Sequence, residues 1–523
     1  MVPTFGVLVT RMVRPDSHTD SVGFGEGNSR LETVVVGLDG AGFDLLEPWL
    51  EAGELPNLER ILETGVSGPL ESVYPPVTAP NWICYATGKN PGQLGIFWWK
   101  NVDVENERVY FPRERFRAET EYWEYLAEDD PVGVLGVPTT TPPKPIDAFY
   151  VSGAPDADSS EFAAPQSVAE TLRERFDYRI NSEYRLEPGN EAACADALEL
   201  IDQRFRAAKY LSLEHDVSFL QVSTFYINQF HHYLWDDEYT LRAWKLIDDH
   251  LGDFLAADCD LVLMSDHGHN QIQTVFRVNQ WLEREGYLSW DRDVSETLYK
   301  FGILTEGIKR ALAAANRTLP LPGETDLVSL AHRSAPQWLL KHLPDGSGEV
   351  GSRTTTNVEW DRTDAVASAQ GPVYLTVDTD SPRYDALREE IRRGIEALTG
   401  PNGRPVADAV HYGEDVYSGQ YVSEGPDLVI DQAEGVHIRE SLGDKPVFSE
   451  TDPKWRGVNK RHGLFAATGP RFGRGTVADL SILDLAPTLL TLHGRPVPTD
   501  MDGEVRSELF ADEWCPPGPS VSQ

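Results

Sequence analysis

The stretch "LETVVVGLDG", residues 31–40, is the first strong structural signal in the chain and decides the fold class. Its run of valines is typical of a strand that is buried on both faces, as strands of parallel sheets are. The run ends at Asp39 and Gly40, a pair that favours a turn. Two amphipathic helical segments follow, 43–53 and 55–65, and each is ended by a glycine.

The alternation of strand and helix continues along the chain. Buried strands are predicted at 131–138, 217–225 and 260–269, and long helices at about 190–215 and 238–257. Apolar strands that alternate with helices imply a parallel sheet covered on both faces. The fold class predicted is therefore α/β, with three α/β/α layers and a mostly parallel central sheet.

A Pro/Gly/Ser-rich stretch at about 290–365 interrupts this pattern, and we interpret it as a small cap insertion. After it we expect the alternation to resume, with strands and helices at 371–378, 384–398, 426–430, 462–470 and 482–494. This gives one main domain, residues 31–510. Residues 1–30 and 511–523 are predicted to be flexible extensions.

The charge and composition of the chain restrict the partners and the location that the protein can have. The 523 residues include 84 Asp and Glu against 46 Lys and Arg, a net charge of −38. Such a surface is either a halophile-like solvated one or a cation-binding one, and the even spread of the acidic residues favours the first. It also disfavours binding to nucleic-acid polymers. No apolar run approaches the roughly 20 residues of a membrane span, and the four unpaired cysteines suggest a cytoplasmic protein.

Several candidate metal ligands lie near predicted strand ends. They are Asp39, Asn228, His232, Asp266, His267 and His462. In open parallel sheets, binding groups gather at the carboxyl ends of strands, and carboxylates with imidazoles suit zinc or manganese. Taken singly, each residue is equally compatible with a turn, a strand cap or core packing, and this holds above all for the adjacent His231 and His232.

The segment "SVYPPVTAPNWICYATGKNPG", residues 72–92, predicts a helix that begins near Thr78. One interpretation is structural, since Thr is a good N-cap and Pro is favoured in a first turn. The other is functional, since a hydroxyl at a helix N-terminus faces free N–H groups that bind phosphate. A Thr hydroxyl becomes a nucleophile only when a base or metal takes its proton.

With these motifs the chain resembles the alkaline phosphatase superfamily, and within it the type I phosphodiesterase/nucleotide pyrophosphatase branch. The resemblance runs from about Val34 to Leu509. It rests on five ordered motifs, "VVVGLDGAGFD", "PPVTAPNWICYATGKNPGQLGI", "SDHG", "RHGLFAATGP" and "DLAPTLLTLHGRPVPTDMDG".

The resemblance implies hydrolysis of a small phosphate ester at two divalent metal ions about 4 Å apart. Zinc is the expected metal, with manganese or magnesium as alternatives. By position, the first ion is assigned to Asp39, Thr78, Asp266 and His267, and the second to Asn228, His232 and His462. Thr78 would be the nucleophile and would form a covalent phosphothreonine intermediate, and Asn81 is our candidate for a contact to a phosphate oxygen.

Two residues depart from the family pattern. Asn228 stands where the family has Asp, so the second metal should be bound more weakly or be a harder ion, unless Asp236 and Asp237 compensate. Leu94 stands where the family has His. A non-catalytic phosphate-ester binder and a phosphoryl or head-group transferase therefore stay open as alternatives. A sulfatase is excluded, because Cys84 lies off the nucleophile position.

Overall fold

The computed structural model describes residues 30–157, 161–290, 358–443, 445–452 and 454–515. Most of the predicted cap insertion, 291–357, and most of the two predicted extensions lie outside these residues.

In chain order the strands are β1 Thr33–Leu38, β2 Val66–Glu71, β3 Asn101–Asp103, β4 Arg108–Tyr110, β5 Val132–Val137, β6 Phe149–Ser152, β7 Ala163–Ala164, β8 Phe219–Thr224, β9 Asp260–Met264, β10 Gly268–Gln271, β11 Thr274–Arg277, β12 Ala365–Ala367, β13 Pro372–Leu375, β14 Ala407–Tyr412, β15 Leu428–Gln432, β16 Val436–Arg439, β17 Phe448–Ser449, β18 Gly457–Lys460, β19 His462–Thr468, β20 Gly475–Thr476 and β21 Leu480–Ser481.

The helices include the long amphipathic segments that the sequence predicts. In chain order they are α1 Phe43–Glu51, α2 Pro56–Thr64, α3 Thr78–Thr87, α4 Pro91–Leu94, α5 Arg113–Arg117, α6 Tyr122–Leu126, α7 Gln166–Phe176, α8 Glu191–Glu214, α9 Tyr226–Leu234, α10 Glu238–Leu255, α11 Val278–Glu285, α12 Tyr384–Glu396, α13 Gly413–Val416 and α14 Leu485–Leu492. Among the helices of these described ranges, none is long and apolar enough to cross a lipid bilayer.

The central sheet has the strand order β20-β2-β19-β9-β1-β8-β5-β6-β7, and β21 also pairs with β2. Strand β1 lies in its middle and pairs in parallel with both β8 and β9. Strand β5 extends the parallel region beyond β8, whereas β19 runs antiparallel to β9 and to β2. The sheet is therefore mostly parallel, as predicted from the buried valine run.

Helices cover both faces of this sheet. Because successive side chains of a strand point to opposite faces, Val34 and Val36 pack with one set of helices and Val35 with another. The first layer contains α1, α2, α7, α8, α9 and α10, and the opposite layer contains α3, α6 and α14. The prediction of three α/β/α layers is confirmed.

A smaller sheet with the order β12-β13-β15-β14 stands apart from the central one and is antiparallel throughout. Its strands share a hydrophobic core with α11 and α12. The expectation that the strands at 371–378 and 426–430 continue the main alternation is therefore wrong. Of the three late strands, only the one at 462–470 enters the central sheet, as β19.

Candidate active site

Three neighbouring strands bring candidate ligands to one edge of the central sheet. Asp39 directly follows β1, and Asp266 follows the adjacent β9. On the other side of β1, strand β8 leads into α9, which carries Asn228 and His232. The parallel pairing of β8, β1 and β9 thus aligns their carboxyl ends, where binding groups of open α/β sheets lie.

Four side chains at this edge of the sheet form what we call the Asp–Thr–His cluster, made of Asp39, Thr78, Asp266 and His267. Thr78 Oγ1 lies 3.4 Å from Asp39 Oδ1 and 3.4 Å from His267 Nε2. His267 Nε2 lies 3.7 Å from Asp39 Oδ1 and 3.4 Å from Asp266 Oδ2. Within the described ranges, Asp39, Asp266 and His267 are a group of side chains with ligand atoms close enough to hold one metal ion.

Thr78 reaches this cluster because it is the first residue of α3. The N-cap is Val77, and no side-chain cap bond closes the helix, so Thr78 does not act as the N-cap. One helical turn later, Trp82 Nε1 donates to Asp39 Oδ2 at 2.9 Å. Residues four apart lie on the same helix face, so Thr78 and Trp82 both approach the carboxylate of Asp39.

The electrostatics of the cluster favour a bound cation. Burial raises the pKa of Asp39 well above its usual value, the nearby Asp266 raises it further, and hydrogen bonds from Trp82 and Thr78 oppose the shift. Burial likewise raises the pKa of Asp266. Asp266 Oδ2 has no hydrogen-bond partner among the described residues. Two buried carboxylates without a counter-charge are costly, and a divalent cation is the partner that their chemistry lacks.

The spacing of the donor atoms also fits such a cation. Two ligands bound to one tetrahedral ion at about 2.0–2.2 Å lie about 3.3–3.6 Å apart. The separations within the cluster are close to this range. His267 Nδ1 donates to Gly268 O at 3.0 Å, so its Nε2 keeps a lone pair that faces the carboxylates. Burial lowers the pKa of His267 to about 4, which keeps the imidazole neutral.

The imidazole cluster of His231, His232 and His269 adjoins these residues and is organised by Gly40. The carbonyl of Gly40 accepts hydrogen bonds from His231 Nδ1 at 3.0 Å and from His269 Nδ1 at 2.9 Å. The amide of Gly40 donates to Asp266 Oδ1 at 3.0 Å. His231 Nε2 accepts from Trp244 Nε1 at 2.9 Å, so both nitrogens of His231 are used in packing.

The residues assigned to the second metal are only partly brought together. Asn228 and His232 are buried beside Gly40 and His269, but the side chain of His462 is exposed at the start of β19. Asp237 caps α10 and Asp236 is exposed, so neither compensates for the missing carboxylate. Leu94 is buried in the core and offers no ligand.

The contact of Asn81 to a phosphate oxygen stays a prediction, and in the structure its side chain is hydrogen-bonded to the protein's own backbone. Asn81 Oδ1 accepts from the Val73 amide at 2.8 Å. Asn81 Nδ2 donates to Pro75 O at 3.0 Å and to Val77 O at 2.9 Å. Asn81 therefore fixes the loop that leads into Thr78.

Sequence reasoning missed three residues of the site: Gly40, His269 and Asn459. Asn459 Nδ2 donates to Pro76 O at 2.8 Å and lies 3.2 Å from His267 Nε2, whereas its Oδ1 is buried without a partner among the described residues. The signal for His269 was present in "SDHGH", since residues two apart in an extended segment lie on the same side. Asn459 carries no such signal.

Replacing Gly40 by Ala should disrupt both clusters. Gly40 has φ +71°, and a Cβ there would lie 2.4 Å from His269 Cε1. We expect a loss of roughly 1–3 kcal/mol in the free energy of unfolding from backbone strain and the clash together, and a large loss of metal binding. Urea denaturation and zinc titration measure the two effects.

Gly53→Ala is the matched control for that substitution. Gly53 has a similar φ of +68°, but a Cβ there meets no atom within 4 Å. It should show only the backbone strain and leave zinc binding unchanged. Equal losses of zinc binding in the two variants would contradict the role assigned to Gly40.

Acid should destabilise the protein when metal is removed. Burial lowers the pKa of His231 and His232 to about 3 and that of His267 to about 4, and it also lowers the pKa of His269. Below about pH 6.5 the unfolded chain binds protons that the folded chain refuses, so stability falls as pH falls, by about 1.4 kcal/mol per group and pH unit at most. The raised pKa values of Asp39 and Asp266 have the opposite effect on stability, but these are two groups and the histidines are four.

We therefore expect the free energy of unfolding in a chelator to be lower at about pH 5 than at about pH 7. Urea denaturation at several pH values, with and without added zinc, measures the change. A stability that stays constant or rises toward pH 5 would contradict neutral, buried histidines at this site.

Comparison with known proteins assigns this chain to a family. The sequence profile described as type I phosphodiesterase/nucleotide pyrophosphatase matches residues 33–464. A search of curated proteins gave no match.

Solved structures with the same architecture include phosphonoacetate hydrolase from Sinorhizobium meliloti 1021 in complex with phosphonoformate, with a TM-score of 0.52 and 15% identity over 88% of this chain and 94% of that one. Its complex with phosphonoacetate gives a TM-score of 0.51 and 16% identity over the same shares of the two chains. Human ectonucleotide pyrophosphatase/phosphodiesterase 5 has a TM-score of 0.49 and 14% identity over 92% of this chain and 99% of that one.

At these identities the structural likeness supports the fold alone, whereas the family match covers most of the chain. It also includes the strand ends that carry Asp39 and Asp266, and it ends just beyond the start of β19. The chain belongs to the type I phosphodiesterase/nucleotide pyrophosphatase family and is a hydrolase of phosphoester bonds.

Proposed function

We propose that this protein hydrolyses a small phosphodiester or nucleotide-pyrophosphate-type substrate through a covalent phosphothreonine intermediate at Thr78. The observation that carries the proposal is the position of the Thr78 hydroxyl, 3.4 Å from both Asp39 Oδ1 and His267 Nε2 at the first turn of α3. Residues that serve only packing have no reason to bring a buried carboxylate and an imidazole to one hydroxyl, with a second buried carboxylate beside the imidazole.

The hydroxyl has the surroundings that a nucleophile needs. Its proton has two acceptors within reach, Asp39 Oδ1 and the lone pair of His267 Nε2. Attack of Thr78 Oγ1 on phosphorus forms the Oγ–P bond as the bond from phosphorus to the leaving oxygen breaks. Water then attacks the same phosphorus, releases the phosphate product and restores the threonine. The backbone N–H groups of Thr78 and Ala79, at the first turn of α3, would donate to the incoming phosphate.

Divalent metal ions are part of the proposal. Asp39, Thr78, Asp266 and His267 would hold one ion, which supplies the positive charge that stabilises the alkoxide and the anionic transition state. The same positive charge would let a strongly acidic protein accept a phosphate ester. Zinc is the ion that best suits an oxygen and imidazole donor set, with manganese or magnesium as alternatives.

The setting of the reaction is proposed from composition. All four cysteines, Cys84, Cys194, Cys259 and Cys515, are free thiols, which supports a reducing cytoplasm. The net charge of −38 supports function at high salt. Both proposals can be examined together by assaying activity and stability over a range of salt concentrations under reducing conditions.

Bis-p-nitrophenyl phosphate is the substrate of choice for a first test, in high salt with zinc, manganese or magnesium added separately. We expect metal-dependent release of nitrophenolate, with the monoester p-nitrophenyl phosphate cleaved more slowly. No Arg immediately follows Thr78 in α3 to bind the second anionic oxygen of a monoester. Background rates with all three metals would rule out the proposed hydrolysis.

A further inference from the structure

Tyr74 lies in the loop that leads from β2 to Thr78, and its buried side chain reaches the smaller sheet. Its hydroxyl donates to Asp431 Oδ2 of β15 at 2.9 Å and lies 3.3 Å from His411 Nε2 of β14. We propose that Tyr74 and Asp431 are positioning residues, through which the smaller sheet holds the Thr78 hydroxyl in its reactive place. The inference rests on the proposed function, since it concerns the same nucleophile.

The hydrogen bond between Tyr74 and Asp431 is of a strong type. Burial of the phenol and the nearby Asp431 raise the pKa of Tyr74, so the hydroxyl keeps its proton and donates it. A hydrogen bond from a phenol to a carboxylate is charge-assisted, and such bonds are about twice as strong as those between neutral groups. This bond therefore fixes the direction in which the Tyr74 side chain points.

The ring of Tyr74 also contacts a side chain from each of the two sheets. The guanidinium of Arg461 lies 4.3 Å from the centre of the ring, and the imidazole of His411 lies 5.1 Å from it. Arg461 directly precedes β19 of the central sheet and pairs with Glu71 of β2. Tyr74 is thus the place where the central sheet, the smaller sheet and the loop before Thr78 meet.

The backbone of the same loop is tied to the smaller sheet at two further points. Tyr417, which packs against β15, donates its hydroxyl to Tyr74 O at 3.1 Å. Asn459 Nδ2 donates to Pro76 O at 2.8 Å, and Asn459 O in turn accepts from Gln432 of β15. Because these ties do not use the Tyr74 hydroxyl, its removal should loosen the loop without unfolding it.

A loosened loop would displace the nucleophile. Thr78 begins α3 directly after this loop, and its Oγ1 lies 3.4 Å from both Asp39 Oδ1 and His267 Nε2. A misplacement of about 1 Å at a reacting group can cost about 100-fold in rate. The loss should appear in kcat and leave KM nearly unchanged, because the loop orients the attacking oxygen.

The test is the kinetics of Tyr74→Phe and Asp431→Ala on bis-p-nitrophenyl phosphate with zinc. Each substitution should lower kcat by about 10-fold or more and change KM by less than about threefold. The double variant should lose no more than the more affected single variant, since both substitutions remove the same hydrogen bond. Asp431→Asn, which keeps an oxygen that accepts from the phenol, should retain most of the activity.

Tyr384→Phe is the matched control. The Tyr384 hydroxyl also donates to a carboxylate of the smaller sheet, that of Asp427 directly before β15. Tyr384 packs in the hydrophobic core that the smaller sheet shares with α12. Its substitution removes the same kind of hydrogen bond and should change kcat by less than about threefold.

Hydrogen exchange of the peptide 72–82 gives a readout that does not depend on activity. Local exchange reports how readily a segment opens. We expect faster exchange in Tyr74→Phe and Asp431→Ala than in the wild type, and no change in Tyr384→Phe. The zinc content of all these proteins should be the same.

The proposal is overturned if kcat of Tyr74→Phe stays within about threefold of the wild type, or if the two single losses add up in the double variant. Equal exchange of the peptide in Tyr74→Phe and the wild type would also overturn it, as would an equal loss of activity in Tyr384→Phe. If the wild type itself cleaves no phosphoester, the proposed hydrolysis fails, and the exchange rates alone decide whether the smaller sheet holds the loop.

Discussion

Thr78→Ala should abolish phosphodiester hydrolysis while the protein stays folded. Removal of a covalent nucleophile typically lowers kcat by about 1,000-fold or more, because no other group of the site can take its place. Thr78 contributes only one of four donors in its cluster, so the variant should still bind zinc through Asp39, Asp266 and His267. Rates on bis-p-nitrophenyl phosphate and zinc content, measured on the same preparation, check both statements.

Two controls separate chemistry from packing. Thr87→Ala removes a buried threonine from the other end of α3, where the hydroxyl donates to Ile83 O at 2.8 Å, and should change kcat by less than about threefold. Thr78→Ser keeps the hydroxyl and should retain a measurable part of the activity. If Thr78→Ala and Thr87→Ala lose similar amounts of activity, Thr78 is a packing residue.

Asp266→Asn should lower the hydrolytic activity and, in the absence of metal, raise the stability of the protein. The substitution keeps an oxygen for the Gly40 amide but removes a buried carboxylate that faces Asp39. Because burial raises the pKa of Asp266, its ionisation in the folded state costs stability as pH rises through that raised value. In chelator at about pH 8, we expect the variant to be more stable than the wild type by on the order of 1–3 kcal/mol.

Added zinc should reverse this order, because zinc stabilises only proteins that bind it well. The variant should also lose hydrolysis by about 1,000-fold or more, since it lacks a metal ligand. Thermal unfolding with zinc and with chelator measures the two stabilities, and the diesterase assay measures the loss of hydrolysis.

Asp260→Asn is the contrasting control. Asp260 is a buried carboxylate paired with Arg471, whose backbone amide donates to it at 3.0 Å. Its loss breaks a buried pair and should destabilise the protein with and without zinc. If Asp266→Asn is the less stable protein in chelator as well, the carboxylates of the cluster are not the unpaired charges described above.

The fold could be predicted because continuous apolar runs identify strands that are buried on both faces. The valine run of β1 and the similar runs of β8 and β9 gave the parallel sheet, and parallel pairing then places their carboxyl ends together. The partners of β13 and β15 could not be predicted this way. An apolar run shows that a strand is buried, but it does not identify the sheet to which the strand belongs.

The site was less accessible to prediction, since side-chain roles depend on neighbours that lie far away in the chain. From the sequence, Asn81 was a candidate phosphate contact. In the structure its side-chain amide is hydrogen-bonded to the backbone of the loop from Val73 to Val77. His462 and His269 lie on adjacent segments, and only the three-dimensional structure shows which imidazole faces inward. The role of Thr78 stays a prediction that rests on distances.

The central claim, a covalent intermediate at Thr78, can be tested by stopping the reaction with acid. Wild-type protein mixed with excess bis-p-nitrophenyl phosphate and zinc should, after quenching and proteolysis, yield a peptide that carries the phosphoryl adduct on Thr78 and on no other residue. The adduct should be absent from Thr78→Ala. An active enzyme that repeatedly shows no adduct under quenching, or one whose adduct lies on another residue, would contradict the account.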